Sequence, residues 1–90
     1  MSASALFLVE QERVVTVLQE AAGSLEGSSG EAAVDFSLVR RIDQSGLQAL
    51  EDLARVADEK AIKVVLRGVN VDVYKVLKLA KLTQRFLFVN

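Results

Sequence analysis

Near residue 45 the hydrophobic period of this chain switches from that of a strand to that of a helix, and the switch sets a strand, a tight turn and a helix in succession. Val34, Phe36 and Leu38 alternate with Asp35 and Ser37, the pattern of a strand with one buried face. Leu47, Leu50, Leu53, Ala54 and Ala57 then recur at steps of three and four, which is one face of a helix over 45–59. Between them lies Asp43-Gln44-Ser45-Gly46, a polar turn that must reverse direction quickly. Ser45 reads as the N-cap of the helix, because a serine hydroxyl can accept from an otherwise unpaired N–H of the first turn. Gly46 keeps the backbone around it uncrowded. A hydroxyl is therefore expected at the positive end of a helix, just beyond a strand, with the Asp43 carboxylate two residues away.

The same reading extends along the chain. Ala5-Leu6-Phe7-Leu8-Val9 is a short apolar run that suits either a buried strand or the start of a helix; the strand is preferred. Val14, Leu18, Ala21 or Ala22, and Leu25 fall on one side of an amphipathic helix over 10–25, interrupted late by Gly23. Residues 27–31, Gly-Ser-Ser-Gly-Glu, read as a loop, and no Gly-Lys-Ser or Gly-Lys-Thr follows that would make it a phosphate cradle. Residues 61–66 form a β-branched run that predicts a mostly buried strand. Gly68-Val69-Asn70 makes a turn with Asn70 as the N-cap of a third helix over 72–81. Val73, Val76, Leu77 and Ala80 form its expected inner face, and Lys75, Lys78 and Lys81 an outer basic ridge. Phe86 to Val89 closes the chain as a strand. Four strands alternating with three helices predict a single α/β domain over 1–90, with a mixed sheet and right-handed crossovers.

Composition narrows the chemistry. Ninety residues hold one core, and a 51% hydrophobic content gives that core substance. The chain contains no Cys and no His, which removes thiol chemistry, the usual general base near neutral pH and the commonest metal ligand. No serine–base or metal constellation stands at a recognisable spacing, so an enzyme is not expected, and neither is a cofactor. The net charge of −1 gives no electrostatic case for nucleic acid. Charge is nonetheless polarised: residues 60–90 carry seven basic side chains against one acid, and residues 1–59 carry four against eleven. No apolar run approaches membrane-spanning length and no leader is recognisable, so a soluble cytoplasmic protein is expected.

Asp43-Gln44-Ser45-Gly46-Leu47 after an Ile-bearing strand resembles the Asp-x-Ser-Gly-Leu turn of STAS domains, the family of bacterial anti-sigma-factor antagonists. The likeness continues through 34–38, 45–59, 62–67, the turn at 68–70 and the helix at 72–81. It implies a STAS-like layered α/β fold of about four strands and three helices. Members generally begin with a two-stranded hairpin and a Gly-Glu-Leu-Asp-like loop, of which only residues 5–9 have a counterpart here. An exposed sheet edge is expected in consequence, one that a second copy or a partner strand could cover as a homodimer or complex.

The resemblance also implies a function. In such antagonists the turn serine is phosphorylated by a partner kinase that otherwise sequesters a sigma factor, and phosphorylation breaks the complex. Ser45 is the corresponding residue, with Asp43 and Gly46 as its structural context. Arg40, Arg41 and Gln44 are candidates for the rim of the interface. Arg40 and Arg41 read most simply as a strand end exposed to water, and otherwise as partners for a phosphate, which arginine binds bidentately. An alternative rests on residues 66–74, Leu-Arg-Gly-Val-Asn-Val-Asp-Val-Tyr. These resemble stand-alone STAS subunits that clamp the ATPase of a phospholipid-trafficking ABC transporter, where the turn residue is a contact and not a relay. Tyr74, the only tyrosine, could anchor that interface or belong to the core.

Overall fold

Alternation of apolar and polar residues builds a four-stranded sheet with its helices on one side. The computed structural model describes residues 5–25 and 30–89. In chain order it contains β1 (Ala5–Glu10), α1 (Val14–Ser24), β2 (Glu31–Leu38), α2 (Gln44–Glu59), β3 (Lys63–Arg67), α3 (Val71–Leu79) and β4 (Leu87–Val89), with a 3-10 turn at Gln11–Arg13 leading into α1. The strands lie in the order β1-β2-β3-β4 and every neighbouring pair is parallel. The expected mixed sheet is thus corrected to a parallel one. Each of β1, β2 and β3 is followed by a helical segment that carries the chain back to the same end, so no hairpin reverses direction. Because the strand order never reverses, successive right-handed crossovers deliver their helices to the same face.

The period-2 signal decides which residues meet those helices. Phe7, Val34, Leu66 and Phe88 stand in one row across the four strands and pack into the core cluster with Leu18, Leu50, Leu53 and Leu77 of the helices. Phe36, Val34 and Leu66 are fully buried; each such side chain contributes about 1.5–3 kcal/mol through its removal from water. The neighbouring row, Leu6, Ala33, Val65 and Leu87, points the other way. No helix covers it among the described residues, and Leu6 and Leu87 remain 60% and 50% exposed.

Several expectations shift in detail. Glu31, Ala32 and Ala33 belong to β2 because they pair with Lys63, Val64 and Val65, so the loop predicted at 27–31 loses its last residue; positions 27–29 lie outside the described residues. The first helix buries Val17 as well as Val14, Leu18 and Ala21, and the segment before it is a 3-10 turn. The third helix stops at Leu79: Lys81 takes a left-handed backbone (φ 61°), leaves the basic ridge to Lys75 and Lys78, and Ala80 is exposed. Asn70 caps α3 as expected, its side-chain oxygen accepting from the Val73 N–H at 2.8 Å. Gly68 is required where it stands. Its φ is +66°, and a Cβ there would sit 2.9 Å from the Ser37 Cβ and 3.1 Å from its Cα.

Candidate functional site

In a parallel sheet all strands end at one edge, and here three chain crossings gather there: Gln11 after β1, residues 39–43 after β2, and residues 68–70 after β3. The middle segment is suspended between the other two. The Gln11 side chain accepts from the N–H groups of Arg40 (2.7 Å) and Arg41 (3.1 Å) and donates to the Arg41 carbonyl (2.9 Å). From the other side the Asn70 amide donates to the carbonyls of Val39 and Arg40, both at 3.2 Å. Backbone groups that no strand can pair are thereby satisfied by two side chains, and the entry to α2 is held in place.

At that entry the expected roles of two residues are exchanged. Asp43, not Ser45, is the N-cap: its backbone is extended (φ −101°, ψ −175°), its Oδ1 accepts from the Gly46 N–H at 2.9 Å, and its carbonyl accepts from the Leu47 N–H at 2.9 Å. The helix starts at Gln44, one residue before the expected position, and Ser45 stands second in its first turn. A carboxylate caps as well as a hydroxyl does and adds a charge that the positive helix end favours. Ser45 is left exposed, and its hydroxyl has no hydrogen-bond partner among the described residues. No base contacts it there, so nothing in this arrangement activates it as a nucleophile.

Gly46 is buried where the first turns of α1 and α2 meet. A Cβ at this position would lie 2.6 Å from the Ile42 Cγ1 and 3.3 Å from the Val14 Cγ1. Glycine is needed here for close approach, not for an unusual backbone angle. The missing side chain leaves the space that the Ile42 side chain occupies.

The remaining predicted site residues divide into two groups. Arg40, Arg41 and Asp43 on the loop and Gln44 at the start of α2 are exposed close to Ser45 in the chain, and neither arginine makes an ion pair among the described residues. Beside them a groove of about 390 Å³ runs between the loop and the start of α1, lined by Gln11, Arg13, Val14, Arg41, Ile42 and Asp43. Tyr74 belongs elsewhere. It is 41% exposed on α3, one turn beyond Asn70, and its ring meets Phe88 of β4 edge-on at 5.2 Å. Gln11 was not legible as a site residue, since a lone polar residue after a strand carries no periodic signal. Asn70 was legible as a cap, but its second role, tying down the loop, was not. Among the described residues no group of three or more acidic side chains could hold a metal ion, and no helix is long and apolar enough to cross a membrane.

Fold and site together define a small parallel α/β domain that presents an unpartnered serine at a helix N-terminus on its loop edge. A family model described as Mlab, STAS domain matches residues 9–89, and the chain belongs to the STAS domain family. Solved structures agree at the level of fold. A serine-to-glutamate variant of RsbS from Moorella thermoacetica superposes with a TM-score of 0.77 at 17% identity, over 99% of this chain and 84% of that one. A sulfate transporter family protein from Wolinella succinogenes gives 0.78 at 17% identity, over 94% and 75%. A putative anti-sigma factor antagonist from Thermotoga maritima gives 0.73 at 15% identity, over 100% and 76%. No curated protein matches the chain.

Proposed function

We propose that the chain is a non-catalytic, cytoplasmic protein-interaction module of the anti-sigma-factor antagonist type. It binds a serine kinase that doubles as an anti-sigma factor, and phosphorylation of Ser45 releases it. The observation that carries this reading is the division of labour at the start of α2. Asp43 satisfies the helix end, so the exposed Ser45 hydroxyl has no structural duty and is free to be modified. A phosphate there adds about −1.5 to −2 charges and three acceptor oxygens. The first-turn N–H groups and the helix dipole tolerate that charge, whereas Asp43 and a closely packed partner do not. Modification accordingly alters the surface and leaves the fold intact, as a switch requires.

A second reading is favoured by a separate feature. The likeness of residues 66–74 to ATPase-clamping subunits, together with the family description, which names Mlab and not an antagonist, supports a constitutive transporter subunit. Tyr74, exposed beside Val71, would then anchor the contact.

Paired baits separate the two. Native protein and its Ser45→Asp variant, which supplies only part of a phosphate's charge, are presented to an extract of cytosol and membranes. Retention of a small serine kinase by the native bait alone supports the switch. Equal retention of that kinase by both baits overturns Ser45 as its control point. Recovery of an ABC-type ATPase by both replaces the switch with the subunit reading.

A further inference from the structure

The sheet face opposite the helices is apolar and uncovered among the described residues, and its charges stand in a pattern that matches itself. Three side-chain rows cross it. The first contains Glu31 of β2 and Lys63 of β3. The second is Leu6, Ala33, Val65 and Leu87; the third is Leu8, Asp35, Arg67 and Val89. Leu6, Leu8, Leu87 and Val89 are 60%, 52%, 50% and 45% exposed, a concentration of apolar surface that marks an interaction site. The acids sit on β2 and the bases on β3, side by side at the centre.

We propose that this face is the interface of a homodimer, in which two copies stack sheet against sheet about a two-fold axis that runs parallel to the strands between β2 and β3. That axis exchanges β2 with β3 and β1 with β4. Asp35 then faces the partner's Arg67, Glu31 faces the partner's Lys63, Leu6 faces the partner's Leu87, and Leu8 faces the partner's Val89. An isologous contact must be self-complementary, and within these three rows each charge meets its opposite while each large apolar group on the edge strands meets another; Glu10, beyond them at the end of β1, pairs with Leu38 at the rim.

The alternative two-fold, running across the strands, fails on the same residues. Placed on the second row, it sets Glu31 against the partner's Asp35 and Lys63 against the partner's Arg67, like against like. Placed on the third, it sets Asp35 and Arg67 each against itself. Placed between the two rows, it buries both charges on Ala33 and Val65. Like-charge juxtaposition and unpaired buried charge are both costly, so the charges select the orientation. Asp35 is well prepared for the role. Hydrogen bonds from the Ser37 hydroxyl and N–H hold its carboxyl below the usual range, with Arg67 adding to the effect.

The size of the face sets the strength. Four strands about 4.8 Å apart and three side-chain rows about 7 Å apart give each copy on the order of 400 Å², at the transient end of protein interfaces. Twisted sheets stack at about −30°, so the central β2 and β3 pairs stay closest and dominate.

Sedimentation equilibrium of the whole chain from 10 to about 500 µM tests this, a range chosen because a face this small belongs with weak, transient contacts. Native protein is expected to dimerise, less so at high salt. Asp35→Arg and Arg67→Asp, each alone, place like charges across the axis and are expected to weaken the dimer about tenfold or more. An equimolar mixture of the two variants restores opposite charges on both sides of the axis and is expected to associate at least as tightly as native protein. Leu87→Glu, at a half-exposed position that spares the fold, gives an independent arm and is expected to abolish association. A native chain that stays monomeric throughout overturns the proposal and leaves the face to a different occupant. So does association that ignores the Asp35 and Arg67 changes, since pairing through the edge strands β1 or β4 would not involve the central charges.

Discussion

Two oxygen-bearing side chains share the start of α2, and their separation into a structural and a functional role follows from position alone. Asp43 is in the extended conformation of a cap three residues before the N–H it accepts, while Ser45 is already helical and directed to solvent. The two substitutions should therefore differ. Asp43→Ala removes the cap and is expected to cost about 1 kcal/mol, whereas Ser45→Ala is expected to stay within about 0.5 kcal/mol, as surface changes do. Urea unfolding of the two variants measures both, and an equal cost would mean that Ser45 shares the capping. The turn itself was legible in Asp-Gln-Ser-Gly. The choice of capping oxygen was not, because Asp and Ser are about equally good caps and sequence spacing leaves the start of a helix uncertain by a residue or two.

Elements are joined at the loop edge by long-range bonds that no local pattern announces. Gln11 and Arg40 are 29 residues apart, and Asn70 and Val39 are 31 apart. One side chain after β1 and another after β3 hold the connection between β2 and α2, so three crossovers meet on the loop that carries Arg40 and Arg41 and leads into Ser45. Gln11→Ala is expected to leave the sheet intact while the amide protons of Arg40 and Arg41 exchange roughly tenfold or more faster, since their acceptor is gone. Those of Val34 and Phe36 in β2 should keep their protection in the same hydrogen-exchange measurement. Loss of protection in β2 as well would show that Gln11 supports the fold and not only the loop. The close contact of Gly46 with Ile42 and Val14 works at the same scale, letting the first turns of α1 and α2 approach beneath that loop.

Taken whole, the molecule has a one-sided core, and its two sheet faces should respond very differently to truncation. Leu66→Ala, in the row under the helices, is expected to cost about 2–5 kcal/mol, a large part of the roughly 5–10 kcal/mol that a domain of this size possesses. Leu87→Ala on the open face should cost less than about 1 kcal/mol when thermal or urea unfolding is followed at low micromolar concentration, where copies are separate. Comparable costs would mean that the open face is covered within the chain. The sequence by itself determined the identity and order of the elements, the cap at Asn70, the burial of Val34 and Phe36 in β2 and the buried face of α2, because these depend on side-chain periods of two and of about 3.6 residues within one segment. Leu38, expected on the same buried face of β2, is instead 52% exposed, past the break in the β1–β2 register. Only the tertiary structure decided that all strands run parallel, that Asp43 caps in place of Ser45, that Gln11 clamps the loop, and that acids on β2 lie beside bases on β3. Strand direction, register and long-range hydrogen bonds arise from pairing between segments distant in the chain, and a local period contains no information about which segments will pair.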